Sequence, residues 1–433
     1  MRNRCLAAFA AAGFLALSPL SAGLAATRDV TPGATRDVTP GATGDGLRAA
    51  LAAAAPGDVL RLAPGVYRGS VHIDRPVTVE GGPEAVIDGG GEGSVVVVAA
   101  PDVVLHGVTV RNSGASLEKQ DAGVFVGKAG DRARIEGNRI VDNLIGVYLW
   151  GPDDAVVRGN AIRGRRYARV NERGDNIQLW NTPGSVIEDN DVRFGRDGIY
   201  VTTSKRNLFR GNRFRNLRYA IHYMYTNTSE VSGNVSTGNR IGFALMFSHT
   251  LKVRGNLSQG DSERGILLNY VNNSSIEDNV VRGASKKCVF IYNANKNRFA
   301  GNRFEGCEIG IHFTAGSERN EIYDNAFIDN RTQVKYVGTR VLEWSRDGRG
   351  NYWSDDLAFD LDGDGIADQP YRPNDLVDRI VWRHPLAKLL LTSPAVQILR
   401  WAQKEFPTLH PGGVIDSAPL MRPPPVVAAR DGA

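Results

Sequence analysis

A pair of residues, Gly-Asn or Asp-Asn, recurs through the middle of the chain at nearly constant intervals. The intervals are 22, 30, 22, 22, 22, 23, 23 and 23 residues, a regularity that unrelated loops do not show. Each interval contains short runs of alternating apolar residues, which are typical of strands too short to be stable alone. The asparagines are Asn138, Asn160, Asn190, Asn212, Asn234, Asn256, Asn279, Asn302 and Asn325. The repeat predicts an all-β solenoid of about 22-residue coils, a right-handed parallel β-helix.

Stacked coils about 4.8 Å apart would pair their strands as parallel sheets around a continuous apolar interior. The recurring asparagines suit left-handed corners between sheets, and their stacked amides can hydrogen-bond along the column. Alignment of the coils on these asparagines predicts which residues point inward. The inward pairs are Val147 and Leu149, Ile199 and Val201, Ile221 and Tyr223, Phe243 and Leu245, and Ile311 and Phe313.

The ends of the chain differ from the repeat. Arg2 and Arg4 precede an apolar run and then small residues, the layout of a secretory signal peptide that is removed near Ala26. Two Pro- and Gly-rich octapeptides follow, and a short Ala-rich helix then caps the solenoid. The predicted segments are 1–26 signal peptide, 27–46 flexible leader, 47–340 β-helix, 341–380 irregular segment, 381–410 C-terminal helices and 411–433 tail.

Composition limits the classes of partner. Removal of the two signal-peptide arginines lowers the formal charge from +5 to +3, too little to argue for nucleic acid or an anionic membrane. Cys288 and Cys307 remain in the mature chain. Coil alignment stacks Cys307 on Ala284, about 13 Å of extended chain from Cys288, which disfavours a disulfide.

An acidic run follows the repeat. Its residues form the first nine positions of an EF-hand-type loop, in which alternate oxygens converge on one hard cation. The expected calcium ligands are Asp360, Asp362, Asp364, the backbone of Ile366, and Asp368. Tyr371 replaces the usual twelfth-position Glu, so a bidentate ligand would have to come from elsewhere. A solvated acidic turn is the alternative; a bound Ca²⁺ would be structural.

One outward column is unusually apolar for a solvent-facing wall. It contains Trp150, Trp180, Thr202, Met224, Met246 and Leu268. Patches of this kind mark partner sites. Thioethers also suit Cu(I), so His222, Met224 and Met246, with His249 three residues further on, are candidate contacts for copper that binds transiently. A partner interface without metal is the alternative.

Two further segments are candidate contact surfaces. The long interval before Asn190 packs Arg165, Arg166 and Arg169 into one loop, which suits an acidic partner or lipid head groups but also a solvated bulge. Ser393 and Pro394 are typical of a helix start, and the helix after them carries apolar residues on one face and Trp401. We therefore expect partner contacts at both segments.

The second hypothesis is that the protein is an enzyme. Parallel β-helices commonly host sugar chemistry, and Asp175 and Asp197 occupy equivalent positions in adjacent coils, where two carboxylates could serve as acid and base. Solenoids stack like residues by construction, however, and the sequence offers no neighbouring His or Arg signature of the kind that pectin-type enzymes show. A polysaccharide lyase, epimerase or hydrolase is therefore retained as the alternative to a non-enzymatic protein.

Four segments are the most specific parts of a resemblance that covers nearly all of the mature chain: Tyr-Ala-Ile-His-Tyr-Met-Tyr at 219–225, Gly-Ile-Leu-Leu-Asn-Tyr at 265–270, Asn-Tyr-Trp-Ser-Asp at 351–355 and Val-Trp-Arg-His-Pro at 381–385. Through them the chain resembles the NosD family, periplasmic factors for the copper centre of nitrous oxide reductase. The resemblance implies a periplasmic, non-enzymatic assembly factor for a copper-sulfide centre. It also implies a dedicated ABC transporter, a copper chaperone and the reductase as partners. The C-terminal helices would dock on the transporter, which would hold the protein at the membrane.

Overall fold

The chain winds into a right-handed parallel β-helix of about 14 turns, seen here in a computed structural model. The structure describes residues 33–166, 169–284, 286–314, 316–338, 340–406 and 412–426. The predicted signal peptide lies outside these residues. Within them, no helix is long and apolar enough to cross a membrane.

Each complete coil contributes one strand to each of three parallel sheets, which we number in the order in which a coil enters them. The strands of sheet 1 are Thr35–Val38, Val59–Leu62, Thr78–Gly81, Val104–His106, Arg134–Glu136, Val156–Arg158, Val186–Glu188, Leu208–Arg210, Glu230–Ser232, Lys252–Arg254, Ser275–Glu277, Arg298–Ala300 and Glu321–Tyr323.

Sheet 2 follows after a tight corner in every coil. Its strands are Gly65–Arg68, Ala85–Asp88, Thr109–Arg111, Arg139–Asn143, Ala161–Gly164, Asp191–Arg193, Arg213–Arg215, Val235–Thr237, Leu257–Gln259, Val280–Arg282, Arg303–Glu305, Ala326–Ile328 and Tyr352–Trp353.

Sheet 3 has the longest strands and completes each coil. They are Val71–Ile73, Val96–Val98, Ala122–Val126, Ile145–Trp150, Ile177–Trp180, Asp197–Lys205, Tyr219–Asn227, Ile241–His249, Arg264–Asn272, Lys287–Tyr292, Ile309–Thr314 and Thr332–Val337. Inward side chains from the three sheets form one continuous apolar core. The inward pairs that the sequence predicted for sheet 3 all lie in it, so the predicted register is confirmed for these coils.

The recurring asparagines form an internal ladder at the corner between sheets 1 and 2. The side-chain oxygen of Asn160 accepts the backbone N–H and the side-chain N–H of Asn138, at 2.9 and 3.1 Å, and the pattern continues coil by coil to Asn351. The predicted amide stacking is confirmed. The left-handed backbone lies one residue earlier, at Gly137 or Asp189 for example, so the prediction that the asparagine adopts it was wrong. The preceding residue makes the bend, which leaves the asparagine side chain free to point inward.

The leader was predicted to be flexible, but its second octapeptide belongs to the fold. Strand Thr35–Val38 pairs with Val59–Leu62, Val38 is buried, and the Asp58 carboxylate accepts the backbone N–H of Ala34 at 3.0 Å. Helix α1, Gly46–Ala53, then covers the end of the core with Leu47 and Leu51. This edge strand lacks the apolar alternation of the other strands. The burial of Val38 and the hydrogen bond to the Asp58 carboxylate hold it in place instead.

The disulfide prediction was also wrong: Cys288 and Cys307 are bonded, with Cα atoms 5.7 Å apart. The prediction treated Ala284 and Cys288 as one extended segment, whereas the strand of sheet 2 ends at Arg282 and that of sheet 3 begins at Lys287, so a corner separates the two residues. After this corner, Cys288 is the second residue of its sheet 3 strand. Cys307 lies at the equivalent corner of the next coil, between the strands Arg303–Glu305 and Ile309–Thr314. Both cysteines are buried in the core.

The C-terminal region closes the other end of the β-helix. Helix α2, Leu376–Arg383, starts before the predicted boundary, a 3₁₀ helix spans Pro385–Leu390, and helix α3 is Pro394–Glu405. A second short 3₁₀ helix, Val170–Glu172, lies in the long interval before Asn190. The chain then returns from the helices: strand Gly413–Ile415 pairs with Val341–Glu343. Part of the predicted tail is therefore built into the end of the fold.

Candidate functional site: the outer face of sheet 3

The outward column predicted from the sequence runs along sheet 3. Trp150, Trp180, Thr202, Met224 and Met246 are successive partners on neighbouring strands. The next partner of Met246 is Asn269, whereas Leu268 pairs with Leu245 and is fully buried. Assigning Leu268 to the partner surface was therefore wrong. One extra residue enters the turn before this strand, and a shift of one residue moves a side chain to the other face of a sheet.

Aromatic rings cover the N-terminal part of this face. The rings of Trp150 and Trp180 stack with centroids 5.5 Å apart, and Phe125 stacks on Trp150 at 6.4 Å. Both tryptophans remain about 40% exposed, at 42% and 39%. Stacked rings bury part of their surface against each other, but the remaining apolar area faces solvent and is available to a partner.

A network of charged side chains lies beside the tryptophans, at the start of the sheet 3 strands. Arg196 donates two hydrogen bonds to Asp175, at 3.0 and 2.7 Å, and Arg218 donates two to Asp197, at 2.8 and 2.6 Å. The two carboxylates have no solvent exposure. Nδ1 of His222 lies 3.0 Å from Oδ2 of Asp197, the oxygen that also accepts the 2.6 Å bond from Arg218. Each carboxylate is thus held by an arginine from the next coil.

Burial disfavours the ionised form of both carboxyl groups, but the net pKa shifts of the two groups have opposite signs. Burial raises the pKa of Asp175 despite the bonds from Arg196, and the nearby charge of Asp197 adds to the effect. At Asp197 the bonds from Arg218 and His222 outweigh burial, so its pKa lies below the usual value. Neither carboxylate has an oxygen open to a substrate, which an acid or base needs.

These two arginines were not predicted from the sequence as part of the site. The signal was present, because an arginine follows each of the two aspartates at an interval of 21 residues, one residue less than a coil. That spacing places the guanidinium on the neighbouring carboxylate. Arg196, Arg218 and His222 thus accompany these aspartates, but in a closed ion-pair network and not in an open catalytic arrangement.

His222 and the two methionines follow directly on the same outer face. His222 is packed between the rings of Tyr200 and Tyr219, with centroids 5.0 and 4.9 Å away. Met224 lies two residues further along the strand and pairs with Met246 on the next coil; both are half-buried. Because Asp197 occupies Nδ1, Nε2 is the nitrogen of His222 that remains for another contact. The register thus gives one imidazole and two thioethers on neighbouring strands.

His249 does not share this column. The chain bends at Phe247, which has a left-handed backbone, and His249 lies beyond the bend, where it pairs with Asn272. Its Nδ1 is 3.1 Å from the hydroxyl of Thr250. The structure therefore places His249 apart from the His222 and Met224 face.

The bend itself carries stacked aromatic rings that were not predicted from the sequence. Tyr225, Phe247 and Tyr270 occupy the same corner of three successive coils, with ring centroids 5.2 Å apart at each step. All three have positive φ, which is uncommon for residues other than glycine and asparagine. Tyr225 and Tyr270 are exposed. Thr203 and Asn293 have the same backbone at this corner of the flanking coils, so the positive φ belongs to the fold, and the exposed rings are what distinguishes these coils.

The arginine-rich loop is partly tied to the protein. The guanidinium of Arg165 donates to the carbonyl oxygens of Ser113 and Gly114, at 2.7 and 2.9 Å, and that of Arg166 lies 4.3 Å from the ring centre of Phe194. Arg169 is exposed. Of the three predicted contact arginines, Arg165 is thus used internally, whereas Arg169 extends into solvent.

In the acidic loop, Asp360, Asp362 and Asp364 each place one carboxylate oxygen within 4.8 Å of the others. The carboxylate of Asp368 accepts the backbone N–H of Leu361 at 2.9 Å, at the side of the loop. Ile366 pairs with Leu420 in the returning C-terminal segment. Three of the five predicted ligand positions are therefore brought together, on a loop anchored to the end of the β-helix.

The C-terminal helices present their apolar side chains to solvent. Leu386 and Leu389 are 83% and 82% exposed, and Trp401 is 60% exposed. Ile398, Leu399 and Phe406 are also exposed. Ser393 caps α3 through Val396 and Pro394 is its first residue, so the predicted helix start is confirmed. An uncovered apolar appendage of this size is typical of a docking element.

These features define a parallel β-helix protein with an apolar outer wall and an apolar helical appendage. Residues 158–357 match the model of the NosD family, described as periplasmic copper-binding proteins. Two curated relatives, each named probable ABC transporter binding protein NosD, come from Pseudomonas aeruginosa and Stutzerimonas stutzeri. They are 44% and 43% identical, over 84% of this chain and 88% and 87% of their own length. The chain belongs to the NosD family.

Solved structures share the fold at low sequence identity. The chain is similar to a DFA-IIIase from Arthrobacter chlorophenolicus A6 without its lid, with 16% identity and a TM-score of 0.52 over 71% of this chain and 99% of that one. A likeness at this identity concerns the β-helix alone. The curated NosD relatives are named as transporter binding proteins and not as enzymes.

Proposed function

We propose that this chain is a periplasmic maturation protein that acts as a scaffold in assembling the copper-sulfide centre of nitrous oxide reductase. The observation that carries the proposal is the outer face of sheet 3, where His222, Met224, Met246 and exposed rings stand in place of polar side chains. Membership of a family described as periplasmic and copper-binding supports it. The predicted signal peptide agrees with export.

Copper would be cargo at the face that carries His222, Met224 and Met246. Two thioethers and one imidazole are soft donors that suit Cu(I). Asp197 fixes the ring of His222 through Nδ1, as outer-shell carboxylates do for metal-binding histidines, and so leaves Nε2 toward the ion. The half-buried methionines would then hold the ion in an apolar setting that keeps water and stronger ligands away.

Cu(I) binding to the purified protein tests this site. We expect the double variant Met224→Leu/Met246→Leu to lose Cu(I) in competition with a chromogenic Cu(I) chelator, because leucine keeps the volume and removes the sulfur. Met421→Leu, which changes a methionine at the C-terminal end, is the matched control. Cu(I) affinity equal in the double variant, the control and the wild type would rule out this site.

The C-terminal helices would dock on the membrane subunit of a dedicated ABC transporter and so hold the protein at the membrane. Leu386, Leu389 and Trp401 supply the exposed apolar surface for this contact. The names of the curated relatives, which refer to transporter binding, support the direction of the proposal.

Co-purification with the transporter measures this contact. We expect Leu386→Ser/Leu389→Ser and Trp401→Ser to abolish transporter capture, while Leu357→Ser does not. Leu357 is almost fully exposed but lies outside the helices, which makes it the control for loss of any surface leucine. Undiminished capture by the helix variants would contradict the docking role.

The reductase and a copper chaperone would use the wall formed by Trp150, Trp180 and the rings at 225, 247 and 270. Copper content of the reductase, measured in cells that carry Trp150→Asp/Trp180→Asp, tests the scaffold role as a whole. We expect reductase that contains protein but lacks its copper-sulfide centre. Full copper loading would refute the proposal for the wall.

Structural Ca²⁺ is a separate proposal for the acidic loop. Asp360, Asp362 and Asp364 fit a hard cation, since their oxygens already converge. We expect Ca²⁺ to raise the thermal midpoint of the wild type and not that of Asp362→Asn. Asp347→Asn changes an exposed aspartate outside the loop and should behave as wild type. Equal midpoints with Ca²⁺ and with a chelator would contradict a calcium site.

A further inference from the structure

A second charged cluster lies on the outer face of sheet 3, toward its C-terminal end, and the proposed copper and docking roles do not use it. Arg264 and Lys287 are partners on neighbouring strands, and His312 pairs with Phe290 on one side and with Lys335 on the other. Four successive coils thus bring two lysines, one arginine and one histidine onto one face.

The ring of Phe290 lies at the centre of the cluster. The Lys287 ammonium is 4.1 Å from its centroid, the Arg264 guanidinium 5.3 Å and the His312 ring 4.9 Å. Lys335 lies over the ring of Trp382 on helix α2, at 5.8 Å. Aromatic faces attract cations but carry no net charge, so the positive charge of the cluster is not cancelled.

Within the described part of the chain, carboxylates compensate these cations only weakly. Glu263 is the acidic partner of Arg264, but at 3.9 Å, and its oxygens are shared with Arg240 at 3.2 Å and Lys286 at 3.3 Å. No ion pair involving Lys287 or Lys335 is found among the described residues. Like charges held together without an anion repel one another and destabilise the site.

The protonation behaviour of the cluster agrees with this lack of compensation. Burial lowers the pKa of Lys287 to about 8, with Arg264 and Lys335 adding to the effect and Glu308 opposing it. Burial, Lys287, Lys335 and Arg264 together lower the pKa of His312 to about 3. Nδ1 of His312 is shielded from solvent and has no hydrogen-bond partner among the described residues.

We propose that Arg264, Lys287, Lys335 and His312 form a binding site for a small doubly charged oxoanion, such as sulfate, thiosulfate or phosphate. The cations supply charge-assisted hydrogen bonds, and neutral His312 can donate one more. A small ligand is favoured over a macromolecular acidic surface because the site is recessed: the Arg264 side chain is 27% exposed, Lys287 is half-buried and Nδ1 of His312 is not exposed at all. The site is independent of the proposed copper contacts.

Calorimetric titration of the full mature chain with sulfate, thiosulfate and phosphate, at constant chloride, tests the proposal. We expect binding to the wild type and about tenfold weaker binding to Lys287→Met and to Lys335→Met, the loss expected for one charge-assisted bond. Lys286→Met is the matched control, because Lys286 is adjacent in sequence but exposed and bonded to Glu263. Equal affinities in the three variants would overturn the assignment.

Two further measurements keep the proposal falsifiable if a variant is poorly folded. In buffer without oxoanion, Lys287→Met should melt no lower than wild type, because it removes an uncompensated charge. In the wild type, an NMR titration should show the pKa of His312 rising on addition of sulfate. Absence of that rise overturns the proposal. Binding of succinate without binding of any oxoanion would identify a carboxylate site and would equally overturn it.

Discussion

Sheets 1 and 3 are built from the same coils over the same core, yet their outer faces differ in chemistry. On sheet 1, opposite charges alternate from coil to coil: Glu188 is bonded by Arg158 and by Arg210, and Glu230 by Arg254 at 2.8 Å. On sheet 3, stacked rings, paired methionines and an uncompensated cationic cluster occupy the equivalent surface.

The contrast separates what holds the protein together from what it presents to others. Ladders of opposite charge keep an outer sheet surface soluble and satisfied without a partner. Rings and thioethers in the same position leave a contiguous apolar area exposed, which is typical of interaction sites. The same core lies under both faces, so the proposed function rests on the chemical difference between the faces.

The largest expected effect comes from the core beneath both faces. Phe299 is fully buried under sheet 1, and Phe299→Ala should lower the free energy of unfolding by about 3–5 kcal/mol, because it leaves a cavity. Phe247→Ala, which removes a ring from the outer face of sheet 3, should cost within about 1 kcal/mol. Chemical denaturation measures both. Equal losses would show that the exposed rings are structural, and the contrast between the faces would fail.

The disulfide should rank next. Cys288→Ala/Cys307→Ala should lower the stability by about 3 kcal/mol, because the crosslink closes a loop between residues 19 apart in sequence and restricts the unfolded chain. A reducing agent should destabilise the wild type and leave the double variant unchanged. Cu(I) binding at the outer face should survive the substitution; its loss would mean that the core and the wall are not separable.

Asp261 tests the corner that leads into sheet 3. It accepts hydrogen bonds from Ser236, Ser258 and the backbone of Asn239, yet burial raises its pKa to about 6. Because the folded-state pKa lies above the unfolded value, the stability that its proton provides is complete below about pH 4 and is lost as the pH rises through about 6.

We therefore expect Asp261→Asn to stabilise the protein by about 2–3 kcal/mol at pH 7.5 relative to wild type, and to flatten the fall in stability between about pH 4 and 6. Asn239 occupies the equivalent position one coil earlier, so an amide fits this corner. Thermal melts across this pH range measure the effect. Persistence of the same fall in the variant would assign it to another group.

The smallest effect is expected on the outer face of sheet 1. Burial disfavours the Glu188 carboxylate, but the bonds from Arg210 and Arg158 outweigh it and hold its pKa below the usual value. Its contribution is therefore present at neutral pH and is lost as the pH falls below about 4.5. Glu188→Gln should cost about 1 kcal/mol at pH 7, less at high salt, because both arginines are half-exposed. Denaturation at two salt concentrations checks it; a salt-independent cost would point to packing.

Most of the fold could be predicted from the sequence, because the repeat contains both the strand length and the direction of each side chain. The interval between asparagines gave the coil, and alternation gave the inward column through Ile199, Ile221 and Phe243. The errors fell where a coil departs from 22 residues or turns a corner. One inserted residue exchanged Leu268 for Asn269 on the outer face, and a corner brought Cys288 onto Cys307.

The candidate site was predicted less completely. Trp150, Trp180, Met224 and Met246 follow from coil alignment alone, because side chains one coil apart must stack. The two hydrogen bonds from Arg196 to Asp175 do not follow from alignment, because their geometry depends on how the backbone bends at the start of the strand. The cluster around Phe290 depends on the register of four strands and on helix α2, and the registers change within that region.

The sequence by itself determined a right-handed β-helix with one apolar outer wall, because periodicity fixes which side chains share a column and which face they occupy. The tertiary structure decided which charges find partners there. Asp175 and Asp197 are closed by arginines, whereas Lys287 and Lys335 are not neutralised within the described residues. Whether a charged side chain is neutralised by one of opposite charge depends on distances of a few ångströms between coils, and periodicity alone does not set these distances.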